Sequence, residues 1–168
     1  MNLKHAVAFA AFSLVSASAM SATYAIGTLP TAPASYTNLA TVAVGAFTDT
    51  FTFTAPAATS TTFASASSVD LMPFFNVGNL TLSLFTSANV LIATGVTGPV
   101  AGEDSTISAA PLVGGASYYY RVTGTATGAS GGFYAFVASA TPVPEPETYA
   151  LMLAGVAAVG FVVMRRRG

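Results

Sequence analysis

Four threonines at every second position, Thr48, Thr50, Thr52 and Thr54, alternate with Phe47, Asp49, Phe51 and Phe53. Strict period two puts hydroxyls on one face of an extended strand and aromatic rings on the other, a pattern that a helix cannot hold on one side. Pro56 ends the run. Shorter extended segments are predicted over residues 61–67, 79–86, 89–94, 106–109, 117–125 and 132–139, and Leu80, Leu82 and Leu84 share one face of their strand. Turn-forming Asn, Ser and Gly clusters separate them, at 76–78, 87–89, 95–102, 114–115 and 128–132. No stretch between the two chain ends has a helical period. The expectation is therefore an all-β domain, an antiparallel β-sandwich of seven or eight strands with jelly-roll-like wiring. Residues 26–38, rich in Thr, Ala and Pro, are read as an irregular lead-in, with regular structure from Leu39. No internal repeat is present, which disfavours propellers and solenoids.

The two ends obey different rules. Lys4 and His5 precede an apolar run over residues 6–15 and then small residues ending in Ala17-Ser18-Ala19. This is the pattern of a secretory signal peptide, too short to span a bilayer, with cleavage expected after Ala19 or after Ala25. At the other end Val143, Pro144, Glu145, Pro146 and Glu147 lead into an apolar run over residues 150–164, closed by Arg165, Arg166 and Arg167. The prolines hold the segment extended and accessible to a processing enzyme, Pro146 suits a first helical position, and Glu147 sits near the positive end of the helix dipole. The arginines stop the helix on the cytoplasmic side. At about 1.5 Å per residue, an apolar helix of that length falls short of the roughly 30 Å hydrocarbon core, which favours a processed tail over a permanent anchor. The expected plan is a signal peptide over 1–25, a β-sandwich over 26–142 and a sorting tail over 143–168, its helix spanning 150–164.

The tail, a Pro-Glu-Pro motif followed by a short apolar helix and an arginine cluster, resembles the PEP-CTERM sorting signal of Gram-negative bacteria. The resemblance implies handling by the secretion machinery and by an exosortase, a multi-pass membrane transpeptidase that cuts near the motif and releases or re-attaches the exported protein. The same tail element also carries the older label of an ice-binding protein C-terminal segment. Phe47, Asp49 and Phe51 fit the Phe-x-Asp-x-Phe signature of one subgroup of such proteins, and residues 114–124 and 131–136 look like its final strands. They are more loosely similar to the β-sandwich modules that follow secreted peptidases. The localisation implied is export through the inner membrane to the envelope, cell surface or extracellular matrix.

Composition excludes several chemistries. Between residues 26 and 142 the charged side chains are Asp49, Asp70, Glu103, Asp104 and Arg121, four negative against one positive, a net charge of −3. Without a basic patch, nucleic-acid binding lacks its main source of affinity. Cysteine is absent, the one histidine is His5, and no lysine follows Lys4. Thiolate nucleophiles, Ser-His-Asp triads, Schiff-base lysines and the usual zinc ligands are thus all missing from the expected mature domain. No cofactor or metal is expected.

The remaining candidates are few. Period two sends the Asp49 carboxylate to the aromatic face, where it is read either as a catalytic or calcium-binding acid or, preferentially, as a buried group satisfied by turn amides or by Arg121. Glu103 and Asp104, with Asp70, offer oxygen ligands to a calcium ion, though a solvated loop explains them as well. In Tyr118-Tyr119-Tyr120 the middle ring faces opposite to its neighbours; one set could bind glycan rings, and the plainer reading is half-buried strand tyrosines. The threonine row is read as a solvated strand face rather than an ice-binding array. Asn79-Leu80-Thr81 matches a glycosylation sequon at low specificity. The sequence therefore reads as a non-catalytic, exported surface or matrix protein associated with exopolysaccharide and biofilm. The alternative is a carbohydrate- or surface-binding module, and an enzyme comes third.

Overall fold

A computed structural model describes residues 20–98, 104–143 and 146–167 of the 168-residue chain. Ten strands precede one helix: β1 (Thr23–Thr28), β2 (Tyr36–Val42), β3 (Gly45–Thr54), β4 (Ser60–Val69), β5 (Val77–Thr86), β6 (Leu91–Thr94), β7 (Val96–Thr97), β8 (Asp104–Leu112), β9 (Ser117–Ala126), β10 (Gly132–Pro142) and α1 (Pro146–Arg167). They form two five-stranded sheets, ordered β1-β3-β9-β5-β6 and β2-β10-β4-β8-β7. Setting aside β1 and the two-residue β7 leaves β3-β9-β5-β6 facing β2-β10-β4-β8, with every neighbouring pair antiparallel. This is the wiring of an eight-stranded jelly roll, and it fulfils the sequence expectation. The count of seven or eight strands needs correcting to ten, because the two added strands are short edge pieces with little hydrophobic signal of their own.

Alternation supplies the core as the sequence requires. Along β3 the side chains of Phe47, Asp49, Phe51 and Phe53 are buried and the threonines face outward. β9 pairs with β3 so that Phe51 lies opposite Tyr120 and Phe53 opposite Tyr118. Rings then stack between the sheets, Phe51 on Phe136 of β10 at 4.1 Å and Phe47 on Tyr134 at 5.4 Å between centroids, while Phe53 stacks on Tyr120 of β9 within its own sheet at 4.7 Å. Such large groups on one sheet need small ones opposite. Ala64 and Ala66 on β4, and Ala138 and Ala140 on β10, supply the room and are themselves fully buried. Leu80, Leu82 and Leu84 complete the β5 side. Gly124, opposite Phe47, is required by the same close packing, since a Cβ there would stand 2.8 Å from the Phe47 ring.

The lead-in is more ordered than the sequence suggests. β1 pairs in parallel with β3, Thr23 opposite Thr50 and Tyr24 opposite Phe51, although residues up to 38 read as irregular. After a bulge between Ala25 and Gly27, where the Gly27 φ of +80° favours glycine, the buried Leu29 donates its amide to the Thr54 carbonyl at 2.9 Å. Pro30 and Ala32 then bond both ways to Ala140 of the opposite sheet. The prolines mark a crossover between sheets rather than an unstructured arm, because their neighbours still supply backbone groups. The expected domain boundary at residue 26 therefore falls inside β1.

Candidate functional site

The sandwich ends where the tail begins. Val143 donates its amide to the Thr59 carbonyl at 3.0 Å, one residue beyond β10. Pro144 and Glu145 lie outside the described residues, and α1 starts at Pro146, a first-turn position at which the missing proline N–H costs no hydrogen bond. The helix runs to Arg167, so it is 22 residues rather than the expected fifteen. At about 1.5 Å per residue it reaches about 33 Å, enough for the hydrocarbon core. Residues 148–166 are long and apolar enough to cross a membrane. The helix thus extends past the apolar run at both ends, because Glu147 and Thr148 before it, and the arginines after it, all tolerate helix. Apolar side chains such as Leu151, Val156, Phe161 and Val163 are exposed, as on a helix that is hydrophobic all round.

Asp49 is the buried acid that period two foretold, at 2% exposure. Its partners are not those expected. Oδ1 accepts the Ala22 amide at 2.9 Å, just before β1, and Oδ2 accepts the Tyr134 hydroxyl of β10 at 2.5 Å. Arg121 lies on the opposite face of the sheet, since Tyr120 and Val122 on either side of it point inward. Burial raises the Tyr134 hydroxyl far above its ordinary pKa, and the bond to the Asp49 carboxylate adds to this by requiring the proton to stay. One carboxylate thereby ties the N-terminal segment and the two sheets together. Buried and with each oxygen already accepting a hydrogen bond, it is closed off from a substrate or a cation in solution. Tyr134 was not singled out from sequence; its alternation with Phe136 marks it as inward, but only the cross-sheet packing pairs it with Asp49.

The tyrosine triplet divides as period two requires. Tyr118 and Tyr120 are buried, and each hydroxyl finds a partner: Tyr118 accepts the Val113 amide at 2.8 Å, and Tyr120 bonds the Thr62 hydroxyl. Burial drives the Tyr120 hydroxyl's pKa upward, the Thr62 bond opposing it. Tyr119 faces outward. Its ring stacks on Phe85 of β5 at 5.1 Å and 8° between planes, its hydroxyl donates to Asn89 Oδ1 at 2.9 Å, and it accepts from Arg121 Nη2 at 3.1 Å. The Arg121 guanidinium lies 4.4 Å from the Phe85 ring centre, so this cation is spent on aromatic faces rather than on Asp49. Beside Tyr119 an open groove of about 390 Å³ runs over the outer surfaces of β1, β3 and β9.

Two of the remaining acidic candidates, Asp70 and Asp104, lie on different elements among the described residues. Asp70 accepts the Met72 amide at 3.1 Å in the turn after β4, and Asp104 opens β8. Glu103 lies outside the described residues, as does Ala19. Among the described residues no three His, Cys, Asp or Glu side chains gather as a metal site. Ala25 lies within β1, opposite Thr52.

Residues 142–167 match the PEP-CTERM protein-sorting motif. The match begins at the last residue of β10 and ends with α1, so it coincides with the tail defined by the fold. It implies a surface protein exported to the cell envelope and processed by an exosortase, with α1 as the membrane-anchoring helix. No curated protein matches the chain. Among solved structures, the chain is similar to the pre-peptidase C-terminal domain of a collagenase from Bacillus anthracis, at 17% identity and a TM-score of 0.41, over 70% of this chain and 93% of that one.

Proposed function

We propose that this chain is an exported, non-catalytic protein of the cell surface or extracellular matrix, delivered by an N-terminal signal peptide and cut at Pro144-Glu145-Pro146 by an exosortase of a Gram-negative bacterium. Its jelly roll then serves as a structural or adhesive component of an exopolysaccharide layer or biofilm. The observation that carries this reading is the sorting motif joined directly to a finished domain, with Val143 still bonded to Thr59 and the helix beginning three residues later. By sequence, prolines at 144 and 146 favour a backbone that a protease can read, and the arginines would hold the tail against slippage through the bilayer. A non-catalytic role is supported by the chemistry of the sandwich: no His, Cys or Lys follows residue 5, and the one buried acid among the described residues has both oxygens hydrogen-bonded. Membership of the Phe-x-Asp-x-Phe subgroup fits the packing of Phe47, Asp49 and Phe51, which together hold the first sheet's inner face.

The test is C-terminal mass spectrometry in a host with its exosortase. Wild-type surface protein is expected to lack α1, whereas Glu145→Ala, or deletion of Arg165, Arg166 and Arg167, leaves the tail intact and the protein in the membrane fraction. An intact Gly168 terminus on wild-type surface protein would reduce the tail to an anchor.

A further inference from the structure

We propose that the groove beside Tyr119 binds polysaccharide chains of uncharged pyranose rings, with Tyr119 as the stacking platform. The proposal rests on the matrix-associated half of the function given above and is independent of how the tail is processed.

The groove exists because residues of very different height share one sheet face. Ala25, Gly27, Thr52, Thr54 and Ser117 are short and form a floor, and Tyr119 stands beside them as a wall. Tyr119 projects from β9, which lies between β3 and β5. Its ring leans on Phe85 of β5, so its free face is the one turned towards β3 and the groove.

That ring is held from three directions. Phe85 stacks against it, Asn89 takes its hydroxyl proton and Arg121 donates to its oxygen. Asn89 itself sits in the left-handed region, at φ 63°, in the tight β5–β6 turn. A half-exposed aromatic ring fixed in this way contributes nothing to the core on the other side of the sheet. It does offer a flat apolar surface that loses almost no freedom when something packs on it.

The chemistry of the floor selects the ligand class. Every residue lining the groove is uncharged, and hydroxyl side chains recur along it. Thr52 donates to the Tyr24 carbonyl at 3.3 Å and keeps its own lone pairs for a ligand. A sugar ring presents an apolar C–H face to an aromatic plane and hydroxyls around its rim, which matches one ring wall above a hydroxyl floor. Anionic glycans are disfavoured, since the sandwich is net negative and the Arg121 guanidinium is already engaged. A peptide adding to β1 would use the strand's edge rather than this outer face.

The experiment is calorimetric titration of the full-length chain in an amine-oxide detergent, free of sugar headgroups, with cellohexaose, laminarihexaose, mannohexaose and, as a charged comparator, hexagalacturonate. At least one neutral hexasaccharide is expected to bind with millimolar affinity or better. Tyr119→Ala should weaken it by about tenfold or more, the loss of about 1.4 kcal/mol. Tyr119→Phe keeps the stacking face and should retain most of the binding. Ala25→Leu, which fills the exposed floor without touching the core, should weaken it similarly while leaving the melting temperature within about 2 °C, as expected of a surface change. The proposal is overturned if none of the three neutral probes binds, if only hexagalacturonate binds, or if Ala25→Leu leaves affinity unchanged.

Discussion

Asp49 joins three parts of the chain through two bonds, and its energetic weight follows from where those bonds lie. Tyr134→Phe removes one donor from a buried carboxylate without changing the packed ring, so stability should fall by about 1.5–3 kcal/mol, the range for hydrogen bonds to charged groups. Asp49→Asn keeps an acceptor for the Ala22 amide but sets an amide group against the Tyr134 hydroxyl, and a similar loss is expected. In a double-mutant cycle by thermal unfolding, the two losses should be far from additive, because they report one shared interaction. Additive losses would mean that the bond contributes little. A second expectation concerns alkaline pH. The folded Tyr134 and Tyr120 hydroxyls have pKa values raised above the ordinary 10.0, chiefly by burial. Their contribution is therefore complete below pH 10 and is lost as pH rises, because the unfolded chain releases those protons while the folded one keeps them. Each adds a downward slope of up to about 1.4 kcal/mol per pH unit above that point. Unfolding free energy measured between pH 8 and pH 12 should fall steeply from near pH 10, and Tyr134→Phe should make the fall shallower.

β1 separates the two cleavage sites that the N-terminal sequence offers, after Ala19 or after Ala25, by what each would leave of the fold. Met20 already takes part in the sheet, donating to the Ala46 carbonyl at 3.2 Å and accepting the Thr48 amide at 2.8 Å. Ala22 then holds Asp49, and Tyr24 stacks on Phe51 at 4.7 Å. Cleavage after Ala19 leaves all of this intact. Cleavage after Ala25 would remove half of the strand, uncover Phe51 and leave Asp49 with Tyr134 alone. Intact-mass analysis of exported protein should therefore place the first residue at Met20. A version of the chain beginning at Ile26 is expected to lose about 2–4 kcal/mol, from one buried charge-assisted bond and one stacked aromatic pair, and to melt several degrees lower. A first residue at Ile26 on native material with unchanged stability would contradict the role given to β1.

At the scale of the whole molecule, stability depends on the contact between the sheets. Phe136 stacks on Phe51 and packs at a tilt on Tyr120 at 5.4 Å, so it touches the opposing sheet at two points. Phe136→Ala should cost about 3–5 kcal/mol, a large share of the 5–15 kcal/mol typical of a domain, and be visible as a lowered denaturant midpoint with little change in its dependence on denaturant. Most strand contacts are distant in sequence, as jelly-roll wiring demands. Slow folding follows, with refolding expected in the range of milliseconds to seconds. The helix stands apart in kind, being apolar on every side and built for lipid rather than for the sandwich.

Much of this protein was decided by its sequence alone. Period two in residues 47–54 and 80–84 gave the strands, their inward faces and the burial of Asp49, because alternation leaves only one set of side chains to exclude from water. Tyr119 could likewise be separated from Tyr118 and Tyr120, and the tail could be read as a sorting signal, since such signals are recognised as extended or helical segments without a tertiary fold. What needed the tertiary structure was everything that depends on partners far along the chain. Asp49 meets Tyr134, 85 residues away. Its pairing with Arg121, open from sequence, fails because the sheet lies between them. β1 escaped notice because a short parallel edge strand draws its order from β3 and Asp49 rather than from its own residues. The groove, too, is a product of assembly: small residues on β1 and β3 read as unremarkable until the fold sets them beside a tall, fixed ring on β9.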